Sequence, residues 1–199
     1  MKRRDFLISS SMGAAASLVA GAAGAQMHNM QMAPAPGGST NYGLTLNLRV
    51  DPTPLENEFE KYPNCTYCGM FRQRFSHSRH LVVYANDMVD GTCSIKCASL
   101  SLALNLNLVP KAIYVGDAGD PAQVKPLIDA EAAYYVIDPN RPGTMSAISK
   151  WAYGDKATAE AAAAAPGAQL TDFSGALLAA YTDMAADTDR VRSRRAQMR

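Results

Sequence analysis

Cysteine, histidine and tryptophan are scarce in this chain: four, three and one among 199 residues. Four cysteines are too few for a disulfide scaffold of this length. Charge of one sign is missing as well, because 19 Lys+Arg stand against 18 Asp+Glu. Nonspecific nucleic-acid binding therefore has no electrostatic support, and no nucleic-acid partner is expected. Charged residues make up only 19% of the chain while hydrophobic ones reach 48%, which excludes a wholly disordered polymer. Beyond residue 25 there is no long apolar run, so no membrane span is expected. Catalytic motifs that pair a nucleophile with a base, cradle a phosphate or couple two acids are missing too, and the chain is not expected to be an enzyme. The length suits one domain of ordinary size.

What is present begins with an export segment over residues 1–25. Lys2, Arg3 and Arg4 precede a moderately apolar stretch from Phe6 to Val19, closed by the small residues Ala23-Gly24-Ala25. The Arg3-Arg4 pair, followed by Asp5-Phe6-Leu7, looks like a twin-arginine signal peptide, which places the mature protein in the periplasm. The stretch is too rich in Gly, Ser and Ala to serve as a stable membrane anchor, and no cysteine near the cleavage site offers itself for lipidation. Because the periplasm is oxidising, thiols there become disulfides unless a metal or an enzyme protects them. Residues 26–55 read as a flexible segment. Its Met27, His28, Met30 and Met32 gather thioether and imidazole donors that suit copper as an auxiliary site, and its Pro/Gly-rich half reads as a linker.

Further on, Tyr42 to Val50 alternates like a strand. Arg79 to Ala85 is a β-rich run, and a weaker one from Phe71 to His77 predicts a hairpin joined near Ser78. Asp90-Gly91 is a turn signal. Ser94 to Leu106 predicts a helix burying Ile95, Ala98, Leu102 and Leu106. Strands are expected over Lys111–Gly116, Ala132–Asp138 and Ala147–Tyr153, and an alanine-rich helix over Lys156–Ala165. Thr171 is the expected cap of a last helix running through Phe173, Leu177, Leu178 and Tyr181. Residues 186–199, with five arginines in the last ten positions, read as a frayed basic tail. The order predicts an α+β fold of two small ββα(β)-like units packed side by side, over residues 56–185.

The sharpest feature is Cys65-Thr66-Tyr67-Cys68-Gly69-Met70. A C-x-x-C spacing brings two sulfurs to the mouth of one turn, and Gly69 permits the positive φ that such a metal knuckle commonly needs. Cys93 and Cys97 stand four apart at the expected start of a helix, so they share a face at its positive end, where thiolates are favoured. Four chemistries fit these pairs: a redox dithiol, two structural disulfides, a structural Zn(Cys)4 site, and a soft-metal site with Cu(I) foremost. A redox dithiol lacks its βαβ surroundings. Thioethers at Met70, Met88 and Met145 suit Cu(I) and are of no use to zinc. His77 and His80, three apart, alternate faces of a strand or turn, and either can add a nitrogen ligand.

The knuckle, the following hairpin and Asp90-Gly91-Thr92-Cys93-Ser94-x-x-Cys97-Ala98 resemble the YHS/TRASH type of cysteine metal knuckle. Together with Ala132-x-Tyr134-Tyr135-Val136 and the later Met145, they resemble the NosL family, accessory copper proteins of nitrous-oxide reductase, over about residues 62–180. The resemblance implies a Cu(I) metallochaperone, monomeric or weakly dimeric, that delivers its ion to a copper enzyme such as nitrous-oxide reductase. It places Cys65, Cys68 or Met70, and Met145 nearest the metal; the second pair, Cys93 and Cys97, is fuller than that family's pattern and points to a four-sulfur site or a disulfide. The competing expectation is a Zn- or disulfide-stapled interaction domain.

Overall fold

A computed structural model describes residues 48–198. The export segment, most of the segment over 26–55 with His28, Met30 and Met32, and the greater part of the alternating run over 42–50 lie outside the described residues. Among the described residues no helix is long and apolar enough to cross a membrane.

The chain builds two antiparallel sheets. Strands β1 (Arg49–Val50), β2 (His80–Tyr84), β3 (Met88–Thr92), β4 (Pro110–Gly116) and β5 (Leu127–Asp129) form the first, in the order β1-β3-β2-β4-β5. Strands β6 (Tyr134–Asp138), β7 (Ser149–Tyr153) and β8 (Gln169–Thr171) form the second, in the order β7-β6-β8. Helix α1 (Glu58–Lys61) lies between β1 and β2, α2 (Ile95–Leu104) links β3 to β4, α3 (Lys156–Ala163) links β7 to β8, and α4 (Phe173–Gln197) closes the described residues. Each sheet thus contains the same strand–strand–helix–strand motif with its first strand in the centre, the expected pair of ββα(β) units.

Local chemistry explains the central elements. β2 reads HLVVY and is buried along its whole length; a run of β-branched residues suits a strand covered on both faces. Its side chains alternate. Val82 and Tyr84 enter the main core with Ile113 and Val115 of β4, Tyr135 of β6, Ala152 of β7, and Phe173, Ala176 and Ala180 of α4. Leu81 and Val83 turn to the other face, with Tyr62 and Val89. The main core therefore joins both units, and each fully buried aliphatic in it contributes about 1.5–3 kcal/mol.

Five local expectations are corrected. The strand expected over Phe71 to His77 is absent, and the run contains a 3-10 turn at Gln73–Phe75. Its Arg72 is wholly buried, donating to the carbonyls of Tyr62, His80 and Thr92 and pairing with Glu58, a role that periodicity does not reveal. The hairpin partner of β2 is β3, reached through Asp87 at φ 60°. Asp90-Gly91 lies inside β3 and makes no turn. Gly91 is needed there for close approach, because a Cβ would stand 2.7 Å from the Tyr62 Cβ and 3.1 Å from the Arg72 guanidinium carbon. Leu106 falls past the end of α2 and is 86% exposed. Asp172, not Thr171, caps α4 by accepting from the Gly175 amide, and the arginine-rich tail continues that helix as far as Gln197.

Candidate metal centre

The first cysteine pair sits on a tight ribbon. The Cys65 amide donates to the Met70 carbonyl and the Gly69 amide donates back to the Cys65 carbonyl, both at 2.9 Å. Asn64 bridges Phe71 below them. Gly69 takes φ +75°, the left-handed conformation that the spacing called for. The two residues between the cysteines are anchored to a buried carboxylate: Thr66 Oγ1 donates to Asp90 Oδ1 at 2.9 Å, and the Tyr67 hydroxyl donates to Oδ2 at 2.6 Å. Burial raises the Asp90 pKa, and the hydroxyl hydrogen bonds oppose that rise. Beneath the ribbon, Glu58 joins Arg72 at 2.8 Å and Arg79 at 2.6 Å in a buried ionic triad.

The second pair comes from the β3–α2 junction. Cys93 follows β3, Ser94 is the N-cap of α2, and Cys97 occupies the third helical position. No side chain caps the first turn, so both sulfurs stand at a positive helix end whose amides lack a side-chain cap.

The two pairs converge. The sulfurs of Cys65, Cys68, Cys93 and Cys97 all lie within 4.8 Å of one another, with Cys68 and Cys93 3.3 Å apart and Cys93 and Cys97 3.8 Å apart. All four are free thiols. Four sulfurs placed about 2.3 Å from one ion would be separated by about 3.8 Å, so the observed spacing suits one shared cation. Cys65, Cys93 and Cys97 are buried, whereas Cys68 is partly open to solvent. Hydrogen bonding with Cys68, Cys93 and Cys97 holds the Cys65 thiol far below the ordinary thiol range. Hydrogen bonding to Cys65 and Cys68 pushes the Cys93 and Cys97 thiols up. The four thiols thus share their protons through mutual hydrogen bonds, and a cation bound among them would take the place of those protons.

Met70, Met145 and Tyr67 pack against these sulfurs. Met145 belongs to the second unit, in the loop between β6 and β7, at φ 61°. A left-handed conformation costs a non-glycine residue roughly 1–2 kcal/mol, so its surroundings must impose it. They do: Thr144 Oγ1 lies 2.7 Å from Ser78 Oγ, which donates to the Cys93 carbonyl at 2.9 Å. On the far side the Ala147 amide donates to Asp187 of α4 at 2.9 Å. One hydroxyl chain therefore fixes the methionine loop to the cysteine backbone.

The other sequence candidates stand apart. Met88 packs against the main core. His80 is wholly buried, with Nδ1 3.0 Å from the Ser78 carbonyl and Nε2 3.2 Å from the Tyr135 hydroxyl. A carbonyl can only accept, so Nδ1 carries the proton and Nε2 receives one from Tyr135. Burial lowers the His80 pKa to about 3. His77 meets the edge of the Trp151 ring at 4.8 Å, with Arg141 over the same ring, and burial lowers its pKa too. Neither histidine joins the sulfur cluster. Asp90, Ser78 and Thr144, by contrast, hold the site in place. Sequence reasoning missed them because their partners lie up to 66 residues away.

Fold and site together define a small α+β protein with a four-thiol, metal-competent cluster under a methionine loop. The NosL family model matches residues 56–176, and the chain belongs to the NosL family. Among solved structures it is similar to the copper chaperone NosL from Shewanella denitrificans, with 24% identity and a TM-score of 0.46 over 56% of this chain and 87% of that one. No curated protein matches the sequence at a significant level.

Proposed function

We propose that this protein is a periplasmic copper(I) carrier, exported by the twin-arginine route, that binds one Cu(I) at the Cys65/Cys68/Cys93/Cys97 cluster and hands it to a copper enzyme such as nitrous-oxide reductase. The observation that carries this reading is the convergence of four sulfurs within 4.8 Å, with one of them partly exposed and the thioethers of Met70 and Met145 packed alongside. Soft thiolate and thioether donors favour a soft monovalent cation. The open sulfur supplies the route for exchange. An incoming thiol or imidazole reaches copper from the Cys68 side while the buried sulfurs still hold it, so the ion moves stepwise and is never bare. Membership of the NosL family supports the same role, a carrier and not an enzyme. His28, Met30 and Met32 are the proposed auxiliary copper donors.

Anaerobic titration of the mature protein against a chromophoric Cu(I) chelator tests the proposal. About one Cu(I) per chain is expected, and Cys65→Ser with Cys68→Ser should abolish tight binding. Full uptake by that double variant would refute the assignment. The spacing of the sulfurs also favours a second reading, a structural zinc cage. Elemental analysis after Cu(I) challenge separates the two, because retained zinc would mark a staple and displaced zinc a carrier.

A further inference from the structure

A cavity of about 210 Å³ is lined by the sulfur-bearing Cys68, Cys97 and Met145 and by the cationic Lys96, Arg192 and Arg195. The three cations come from the first turn of α2 and the last turns of α4, which the sequence alone presented as a loose tail. No acidic residue lines this space. Lys96 is only 6% exposed and makes no direct ion pair among the described residues, although Asp187 and the Cys97 and Cys68 thiols attract its charge from further off. Of the aspartates on the neighbouring α4 turns, Asp183 pairs with Lys150, and Asp187 pairs directly with Arg190 and the Ala147 amide while attracting Lys96 only at longer range. An ammonium largely shielded from solvent and without a direct ion pair gains when an anion arrives to meet it. Arg192 and Arg195 add two exposed guanidinium groups, also unpaired with any acid among the described residues.

We infer that this cavity is a recognition site for small thiols bearing carboxylates, which bring Cu(I) to Cys68 or carry it away. The inference rests on the copper-carrier reading and names the class of donor that reading leaves open. The cavity has room for a molecule of amino-acid to short-peptide size, at roughly 30 Å³ for each water displaced, and is too small for a folded partner. Sulfurs and cations in one lining match a ligand that carries both a thiolate and carboxylates. A copper(I) thiolate complex of that kind is anionic, and a cationic rim raises its local concentration and its capture rate. In the exchange, the donor's Cu–S bond breaks as the bond from copper to Cys68 Sγ forms. The Cys68 proton leaves on the departing thiolate, and copper remains Cu(I), so no electron is transferred.

The test is anaerobic stopped-flow transfer of Cu(I) into the full mature chain, followed by the ultraviolet copper–thiolate band, from two probe complexes. Mercaptosuccinate carries two carboxylates and cysteamine carries an ammonium. The wild type is compared with Arg192→Glu/Arg195→Glu, both exposed positions that leave the core untouched. Uptake from mercaptosuccinate should fall about tenfold or more in the variant, uptake from cysteamine should hold or rise, and the gap should close as salt goes from about 0.02 to 0.5 M. Equal rates for both donors in both proteins overturn the inference alone. Failure of the wild type to take Cu(I) from either donor overturns the carrier reading and this inference with it.

Discussion

Asp90 offers a quantitative test of how the cysteine ribbon is held. Its two carboxylate oxygens accept from Thr66 and Tyr67, the residues between the first two cysteines, at 2.9 and 2.6 Å. A hydrogen bond to a charged acceptor contributes about 1.5–3 kcal/mol. Thr66 is exposed and Tyr67 half-buried, so after Asp90→Ala their hydroxyls can bind water and recover part of the loss. In the proposed copper carrier, a net loosening of about 1.5–3 kcal/mol then has to be reversed each time the ribbon closes on the ion. Converted at about 1.4 kcal/mol per tenfold, that weakens Cu(I) binding by about 10- to 100-fold, the range seen when partners of metal ligands are removed. Asp90→Asn keeps an acceptor for one hydroxyl and a donor for the other, so a loss of less than about threefold is expected. Anaerobic chelator competition measures both variants, with far-ultraviolet circular dichroism as the check on folding. A cycle adds the second control: Thr66→Val/Tyr67→Phe should weaken binding at least as much as Asp90→Ala, because it leaves the buried Asp90 carboxylate without those donors, and adding it to Asp90→Ala should cost little more. A folded Asp90→Ala protein with wild-type copper affinity would refute the clamp.

Three other outcomes follow from the same structure. Glu58→Ala leaves the fully buried Arg72 and the buried Arg79 without their shared carboxylate, so thermal unfolding should show a loss of about 3–5 kcal/mol, or roughly 10–15 °C. His80 has its pKa lowered to about 3, by burial first and by the neighbouring Arg72 and Arg79 charges. The unfolded chain therefore takes up a proton below pH ~6.5 that the folded one refuses, and stability is lost as pH falls from ~6.5 toward 3, by up to about 1.4 kcal/mol per unit. Urea titrations at several pH values should show this slope, flattened in His80→Gln. Chelating the metal should leave amide protection in β2 and β6 unchanged and alter it only near residues 64–71 and 93–97, because the main core contains none of the four sulfurs; general loss of protection on chelation would show that the metal holds the fold.

Local patterns made much of this legible beforehand. β2, α2, β6 and α3 are runs whose composition and periodicity decide the element, and the C-x-x-C-G-M ribbon needs only near neighbours and a left-handed glycine. What was not legible depends on distant partners. Arg72 reads as a surface charge within a short β-like run, but it is buried because Glu58 and three backbone carbonyls meet it there. Asp90 reads as a turn residue because nothing nearby shows that Thr66 and Tyr67 will fold over it. His80 has the chemistry of a ligand, yet Tyr135, 55 residues on, takes its free nitrogen. The arginines of α4 look like a solvated end until the helix carries two of them to the cluster's mouth.

The repeated motif explains why the sulfurs gather on one unit. In the second unit the helix after the hairpin starts conventionally: Asp155 is the N-cap of α3 and its carboxylate accepts from the amide of Thr158, three residues on. In the first unit Ser94 holds the N-cap position of α2, makes no such bond, and Cys97 stands where Thr158 stands in the other. The same frame thus closes one helix with its own side chain and leaves the other open beside two thiols. An uncapped start costs about 1 kcal/mol, and thiolates at Cys93 and Cys97 lie where the helix end attracts negative charge. Cation binding, by fixing those sulfurs in the thiolate form, supplies the charge that the α2 terminus lacks. On the proposed copper-carrier reading, metal capture and completion of that helix end are a single event, placed on the unit whose hairpin, ribbon and methionine loop can reach one another.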